Sequence, residues 1–306
     1  MLTEGRTKMW FNRNIQNQAH DTVANDAKRI ISDETPFAVR EAYRSLCTNI
    51  LYLPIEDKCK KICVTSAFSG EGKTSVSINF ALTLAQHADE HRILLIDCDM
   101  RKSRISQLIP GIDVETTGLS EYLLGLDEVP NIKKVENSKL SVITSGGESM
   151  NPAGLLNSKK MRSLIKELEE EYDYIIFDSP PINVVSDAII LNDIINGYLI
   201  VVRADYSDVN GLTDAVEALN AVGAEIFGIV LDSLSLKGKS KYKKYSHHYS
   251  NYQHGGKEYY SSNGYIPPSK IDRGTKVKRR KTFMDTVKGW FRGKSKTSDE
   301  SAENKD

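Results

Sequence analysis

Residues 62–84 read ICVTSAFSGEGKTSVSINFALTL. An unbroken aliphatic stretch runs into a short glycine-bearing turn, and the turn runs straight into residues with helical spacing. The rest of the chain repeats the rhythm. RILLIDCDM, LSVITSG, YDYIIFDSP, GYLIVVRAD and EIFGIVLDS read as strands, and SKKMRSLIKELEEEY, VSDAIILNDII and VNGLTDAVEALNAVG as helices between them. The strands are continuous Ile/Leu/Val runs rather than alternating ones, which is how strands covered by helices on both faces read. Alternating β and α then implies an α/β fold with a doubly wound, mainly parallel sheet and right-handed crossovers. Ahead of it, Thr35-Pro36 opens a further helical segment, FAVREAYRSLCTNILYL.

The glycine-bearing turn sits where a phosphate-binding P-loop requires it, between strand and helix. Residues Ser69, Gly70, Glu71, Gly72, Lys73, Thr74 and Ser75 form the expected nucleotide cradle. Gly70 and Gly72 let backbone N–H groups turn toward a phosphate, and the helix starting near Lys73 adds the positive end of its dipole. Lys73 is expected to reach the β and γ phosphates of ATP, and Thr74 to hold Mg²⁺. The first glycine of the usual G-x4-G-K-[ST] pattern is Ala67 here. Read blandly, the segment is an ordinary loop containing glycines, but the strand before it and the helix after it favour the P-loop.

Three carboxylates stand at strand ends. Asp97 and Asp99 close ILLIDCDMR, and Asp178 closes YIIFDSPP. Ligands of open α/β sheets bind at that edge. Alone, each Asp reads as a turn or cap residue. Together beside a P-loop they suit Mg²⁺, which prefers carboxylate, hydroxyl, water and phosphate oxygens. Thr74, Asp97 and Asp178 are the expected metal residues.

After about residue 236 the rhythm stops. Residues 241–265 hold seven of the 14 tyrosines, set among Ser, Gly, His, Asn and Lys with no Leu, Val, Phe or Met. That composition reads as a flexible, solvated tail with its rings exposed. The formal net charge is zero, yet 237–281 carries thirteen Lys and Arg against two acids, so the remainder is correspondingly acidic. Such asymmetry marks interaction tails. Further on, Phe283, Met284, Val287, Trp290 and Phe291 recur at helical spacing among basic residues. A basic helix of that kind, within 276–296, can lie on an anionic membrane surface. It could equally dock on the core or remain a solvated tail. The expected organisation is a loosely ordered segment 1–35, a P-loop domain 36–236, a tyrosine-rich tail 237–270 and a basic amphipathic extension 271–306.

No apolar run approaches the roughly 18 residues of a spanning helix. The first residues, MLTEGRTKMWFNRNIQNQ, lack the apolar stretch of a signal peptide. Cys47, Cys59, Cys63 and Cys98 are not spaced as a zinc site, and read as buried thiols in a reducing compartment. The expected location is the cytoplasm.

The set AFSGEGKT, ILLIDCDMR, YIIFDSPP and a C-terminal tyrosine cluster resembles the bacterial tyrosine kinases, P-loop proteins that control capsule and exopolysaccharide synthesis. The aliphatic run ending in D-x-D-x-R looks like their additional Walker A′ motif. The resemblance spans roughly residues 35–265. It implies catalytic roles for Lys73, Asp97, Asp99 and Asp178. Asp97 would activate the tyrosine hydroxyl near the metal, Asp178 would be the Walker B carboxylate, and Arg101 closes the A′ motif beside the nucleotide. It also implies that Tyr242, Tyr245, Tyr249, Tyr252, Tyr259, Tyr260 and Tyr265 accept phosphate from neighbouring copies. EAYRSLCTNI resembles the family's ring-forming E-x-x-R-x-x-R-x-N-I helix, which assigns Glu41, Arg44, Asn49 and Ile50 to a homo-oligomer interface. Cys47 replaces the second arginine. The resemblance further implies a membrane-anchored activator, a polysaccharide co-polymerase, that keeps the chain at the inner face of the membrane.

Three other readings compete. Septum-placement and plasmid-partition ATPases carry a lysine early in the P-loop, where this chain has Phe68. A nucleotide-gated scaffold without kinase activity would not need Lys73, Thr74, Asp97 and Asp178 all intact. Nucleic-acid binding through the basic, Tyr-bearing tail lacks an accompanying RNA- or DNA-binding fold.

Overall fold

The computed structural model describes residues 25–233, except 88–90, 113–116 and 205. The tyrosine cluster, the basic extension and the first 24 residues lie outside the described residues.

The order of elements is α1 (Phe37–Leu51), β1 (Lys60–Ser66), α2 (Lys73–His87), β2 (Ile93–Asp97), α3 (Ile105–Leu108), α4 (Leu119–Leu124), β3 (Lys133–Lys134) and β4 (Leu140–Ile143). There follow α5 (Pro152–Leu156), α6 (Lys159–Glu171), β5 (Tyr174–Asp178), α7 (Asp187–Ile190), β6 (Gly197–Arg203), α8 (Val209–Ala221) and β7 (Ile226–Asp232). The strands form one seven-stranded sheet in the order β3-β4-β2-β5-β1-β6-β7. Only the β3–β4 pair at one edge is antiparallel. The other pairs are parallel, as the unbroken aliphatic runs require.

Every residue of β2 and of β5 is buried. This places both strands inside the sheet, with the register Asp97↔Asp178 at their C-terminal ends. β1 lies between β5 and β6, and its Val64 is also level with Asp178. The P-loop, which leaves β1, therefore emerges beside the two strand ends that carry the aspartates. Strand order alone brings the three sequence motifs together.

Helix α2 is buried along most of its length because it lies between the sheet and α1. Phe80 and Leu84 of α2 pack with Cys47 and Ile50 of α1 and with Leu95 and Ile176 of the sheet. The last turn of α1 holds no basic residue. Lys60, the first residue of β1, fills that role: its Nζ donates to the carbonyls of Ile50, Leu51 and Leu53, where the helix dipole favours a cation. Upstream of α1, Asn79 of α2 grips the chain, accepting from Ile31 N at 2.8 Å and donating to the Arg29 carbonyl at 2.8 Å.

Two elements differ from the periodic reading. VSDAIILNDII forms only four α-helical residues before tightening to a 3₁₀ turn over Leu191–Ile194. The stretch between β2 and β4 contains α4 and the two-residue β3, too short for hydrophobic period to reveal. All four cysteines are buried and unpaired, and burial pushes the Cys47, Cys59 and Cys63 thiols up to about 12.

Candidate active site

The phosphate loop takes its shape from two glycines and a buried glutamate. Gly70 (φ 86°) and Gly72 (φ 91°) have left-handed backbones. A Cβ on Gly72 would stand 2.6 Å from Asp232 Oδ2, so both conformation and space require glycine there. Glu71 is 1% exposed, and its side chain points inward. It accepts from Phe68 N at 2.8 Å and from the Ser207 hydroxyl. The sequence reading placed Glu71 among nucleotide-binding residues; its carboxylate braces the loop. Arg203 Nη1 adds a bond to the Gly70 carbonyl at 3.2 Å.

At the start of α2, Lys73 extends to Asp99 and donates to Oδ2 at 3.0 Å. Ser77, one turn on, shares its hydroxyl between the Lys73 carbonyl and Asp178 Oδ1, each at 2.9 Å. Thr74 is buried, and its hydroxyl favours the charged form of Asp178. Asp97 accepts from Asp99 N at 3.0 Å and from the Ser103 hydroxyl at 2.8 Å. Asp99 accepts from Lys102 N at 3.0 Å. Arg101 points away from this cluster and forks onto the buried Asp187, with Nε to Oδ2 at 3.1 Å and Nη2 to Oδ1 at 3.4 Å. The catalytic set expected from sequence is thus brought together, while Arg101 is anchored at its edge.

Asp97, Asp99 and Asp178 are 0%, 4% and 1% exposed, and Lys73 is the ammonium set directly among them. Asp97 and Asp178 are buried side by side, where water does little to stabilise their charged forms. Burial, then the neighbouring Asp178 charge, pushes the Asp97 carboxyl up to about 8. Asp178 is also raised by burial, although Lys73 and the Thr74 hydroxyl pull against it. Burial alone would lower the Lys73 ammonium, but Asp178 and Asp99 outweigh it and raise its pKa. The site is short of positive charge, which is the demand a divalent cation meets.

Among the described residues, no group of three or more His, Cys, Asp or Glu could hold a metal by itself. Thr74, Asp97 and Asp178 still fit Mg²⁺, which takes one or two carboxylates and completes its shell with phosphate oxygens and water. The cradle of left-handed glycines at a helix N-terminus fits the phosphates that would accompany it.

On α1, Glu41 pairs with Arg44, and Arg44 and Asn49 are exposed. Ile50 does not share that surface. It is 2% exposed and packs in the core, which corrects its placement at an oligomer interface. Cys47 is buried as well, its thiol donating to the Phe80 carbonyl at 3.9 Å. Sequence reasoning also missed Ser77, Ser103 and Asp187. Ser77 alone had a signal, standing four residues after Lys73 on the same helix face.

Comparison with known proteins gives a consistent result. A protein family described as "AAA domain" matches residues 59–228. "Tyrosine-protein kinase YwqD" of Bacillus subtilis is 34% identical over 206 residues, covering 67% of this chain and 85% of that protein. The solved kinase domain of Escherichia coli tyrosine kinase ETK is 31% identical with a TM-score of 0.61, covering 66% of this chain and 78% of that one. The crystal structure of the chimerical protein CapA2B2 is 29% identical with a TM-score of 0.62, covering 67% and 89%.

Proposed function

The chain belongs to the bacterial tyrosine-protein kinases and transfers phosphate from ATP to tyrosine, and we propose that it does so between copies, onto the tyrosines of 242–265, in the control of capsule and exopolysaccharide synthesis. Membership favours this over a simple ATPase or a nucleotide-gated scaffold. The observation that carries the mechanism is the in-register Asp97–Asp178 pair, buried beside Lys73 at the mouth of the P-loop.

The loop amides and Lys73 hold the nucleotide phosphates. Lys73 reaches them by exchanging its bond to Asp99, and Asp99 remains as the counter-charge that steers it back. Mg²⁺, held by Thr74 and Asp178 with Asp97 alongside, would supply charge neutralisation on the transferring phosphoryl group. Asp97 takes the phenolic proton. A tyrosine hydroxyl has a pKa near ~10, so an ordinary carboxylate is a poor match for it. A carboxylate raised to about 8 lies closer. At neutral pH Asp97 keeps its own proton until cations enter the site, lower its pKa and free the carboxylate to act as base. The tyrosine oxygen then bonds to the γ phosphorus, the bond to the β-phosphate oxygen breaks, and ADP leaves.

The tail's basic charge favours the acidic site before reaction. Each phosphate adds roughly −1.5 to −2 charge, so several cancel the excess and release the tail. Glu41, Arg44 and Asn49 form the surface through which copies meet. Among the described residues, no helix is long and apolar enough to cross a membrane. A membrane-anchored activator is the proposed partner at the inner face of the membrane, and residues 276–296 offer a second contact with anionic lipid.

Peptide mass spectrometry after incubation with Mg·ATP, comparing wild type with Lys73→Met, tests the activity. Phosphate confined to 242–265 and absent from the variant is expected. Equal phosphate in both, or none in either with the activator's cytoplasmic segment present, contradicts the reading.

A further inference from the structure

The loop after β6 leans on the phosphate loop through three contacts. Arg203 bonds to the Gly70 carbonyl at 3.2 Å, and Ser207 bonds to Glu71. The third is Tyr206, whose hydroxyl lies 3.7 Å from where a Cβ on Gly70 would stand. Tyr206 is 61% exposed, and the Arg203 guanidinium sits 5.7 Å from its ring centroid. Tyr52 is exposed too, but at the end of α1. Tyr206 differs in standing on a loop that packs against the phosphate loop.

We propose that Tyr206 is a self-phosphorylation site whose phosphate weakens nucleotide binding, a feedback brake separate from the tail tyrosines. The proposal rests on the kinase reading. A second copy supplies the phosphoryl group: the Tyr206 oxygen bonds to the γ phosphorus, the β–γ bridging bond breaks, ADP leaves, and the phenolic proton passes to Asp97 of the donating copy. An exposed ring on a surface loop is accessible to that copy.

The product acts on the phosphate loop by charge. A phosphotyrosine carries roughly −1.5 to −2. Placed over Gly70, it lies beside the same loop amides that the nucleotide's phosphates need, at a site that already holds three buried carboxylates. Like charges at such separation repel with little screening inside a Debye length. Arg203 is the cation at hand. A phosphate draws its guanidinium into a charge-assisted pair, which is stronger than its neutral bond to the Gly70 carbonyl. The brace on the turn is then lost. Repulsion and unbracing act in the same direction.

The test uses the full chain and two variants. One has the seven tail tyrosines replaced by Phe, and the other carries Tyr206→Phe in addition. All three are incubated with Mg·ATP and the activator's cytoplasmic segment, and desalted. Phosphorylated tyrosines are mapped, and binding of a fluorescent ADP is titrated before and after phosphatase. The tail-substituted chain is expected to carry phosphate on Tyr206 and to bind fluorescent ADP about tenfold more weakly than its Tyr206→Phe counterpart, as short-range repulsion only partly offset by Arg203, together with the lost brace on Gly70, implies. Phosphatase should abolish the difference. Phosphate on the tail of the full chain with Tyr206 unmodified in every protein overturns this proposal and leaves the kinase reading standing. Modified Tyr206 with unchanged ADP binding overturns the brake. No phosphotyrosine in any of the three removes the kinase reading and this proposal with it.

Discussion

At the C-terminal edge of β2 and β5, Asp97, Asp99 and Asp178 share the single ammonium of Lys73, nearly out of contact with water. At the opposite edge, where β1 and β6 begin, Asp57, Lys61, Arg162, Glu169 and Asp193 line an open cleft of about 340 Å³. There Lys61 meets Glu169 at 2.6 Å and Asp57 at 3.4 Å, and Arg162 meets Asp193 at 3.4 Å. The carboxyl groups respond in opposite directions. Asp97 and Asp178 are pushed up by burial, whereas Asp57 is pulled down by its bond from Asn196 and by Lys61. Both edges are rich in charge, but only one leaves it uncompensated. An uncompensated buried cluster costs the fold free energy and persists where it serves a ligand. A paired and hydrated cluster needs no such explanation.

The strongest way to break this contrast is to remove the Lys73 ammonium from the buried edge. Lys73→Met should lower tyrosine phosphorylation by about 10³-fold, comparable to losing a preorganised charge stabiliser in other enzymes. Initial rates of phosphate incorporation measure it, and a loss below about tenfold would move the burden of charge stabilisation elsewhere.

A second variant separates stability from activity at the same edge. In the metal-free chain, Asp97 keeps a proton up to about pH 8, while in the unfolded chain it loses it near 3.8. Between those values the folded form binds the extra proton, so stability falls as pH rises, by up to about 1.4 kcal/mol per unit for one such group. Asp97→Asn should flatten that slope in denaturant titrations from pH 5 to 8 and raise stability at the alkaline end. Phosphorylation should meanwhile collapse. Parallel slopes in the two proteins would show that Asp97 is ionised throughout.

The smallest effect belongs to the balanced edge. Glu169→Gln weakens one partly exposed pair and should cost less than about 1 kcal/mol. Phosphorylation should stay within about twofold of wild type. A larger loss of activity would mean that the two edges are coupled through the sheet.

What could be read without coordinates follows the same division. Asp97 and Asp178 stood out as candidates because each ends a fully buried strand, where a carboxylate interrupts an aliphatic run, and Asp99 follows two residues beyond β2. Their convergence needed only parallel strand order. Ser103 and Asp187 were not legible, since a hydroxyl or carboxylate gains its meaning there from a partner 6 to 86 residues away. Ile50 was misplaced because the motif resemblance was followed over helical phase. Tyr43, Leu46, Cys47 and Ile50 form the i, i+3, i+4, i+7 stripe that faces the core, and that phase was present in the sequence. α4 and β3 escaped because elements of six and two residues are too short to show a period.

The most direct measurement of the central claim is transfer between two distinguishable copies. A donor with an intact site and its seven tail tyrosines changed to Phe is mixed with a Lys73→Met acceptor that keeps them, and Mg·ATP is added. The same mixture is prepared with an Asp97→Asn donor. Phosphate on 242–265 of the acceptor with the first donor, and its loss with the second, is the predicted result. An acceptor left bare by an otherwise active donor, or one phosphorylated equally by both donors, would contradict the account.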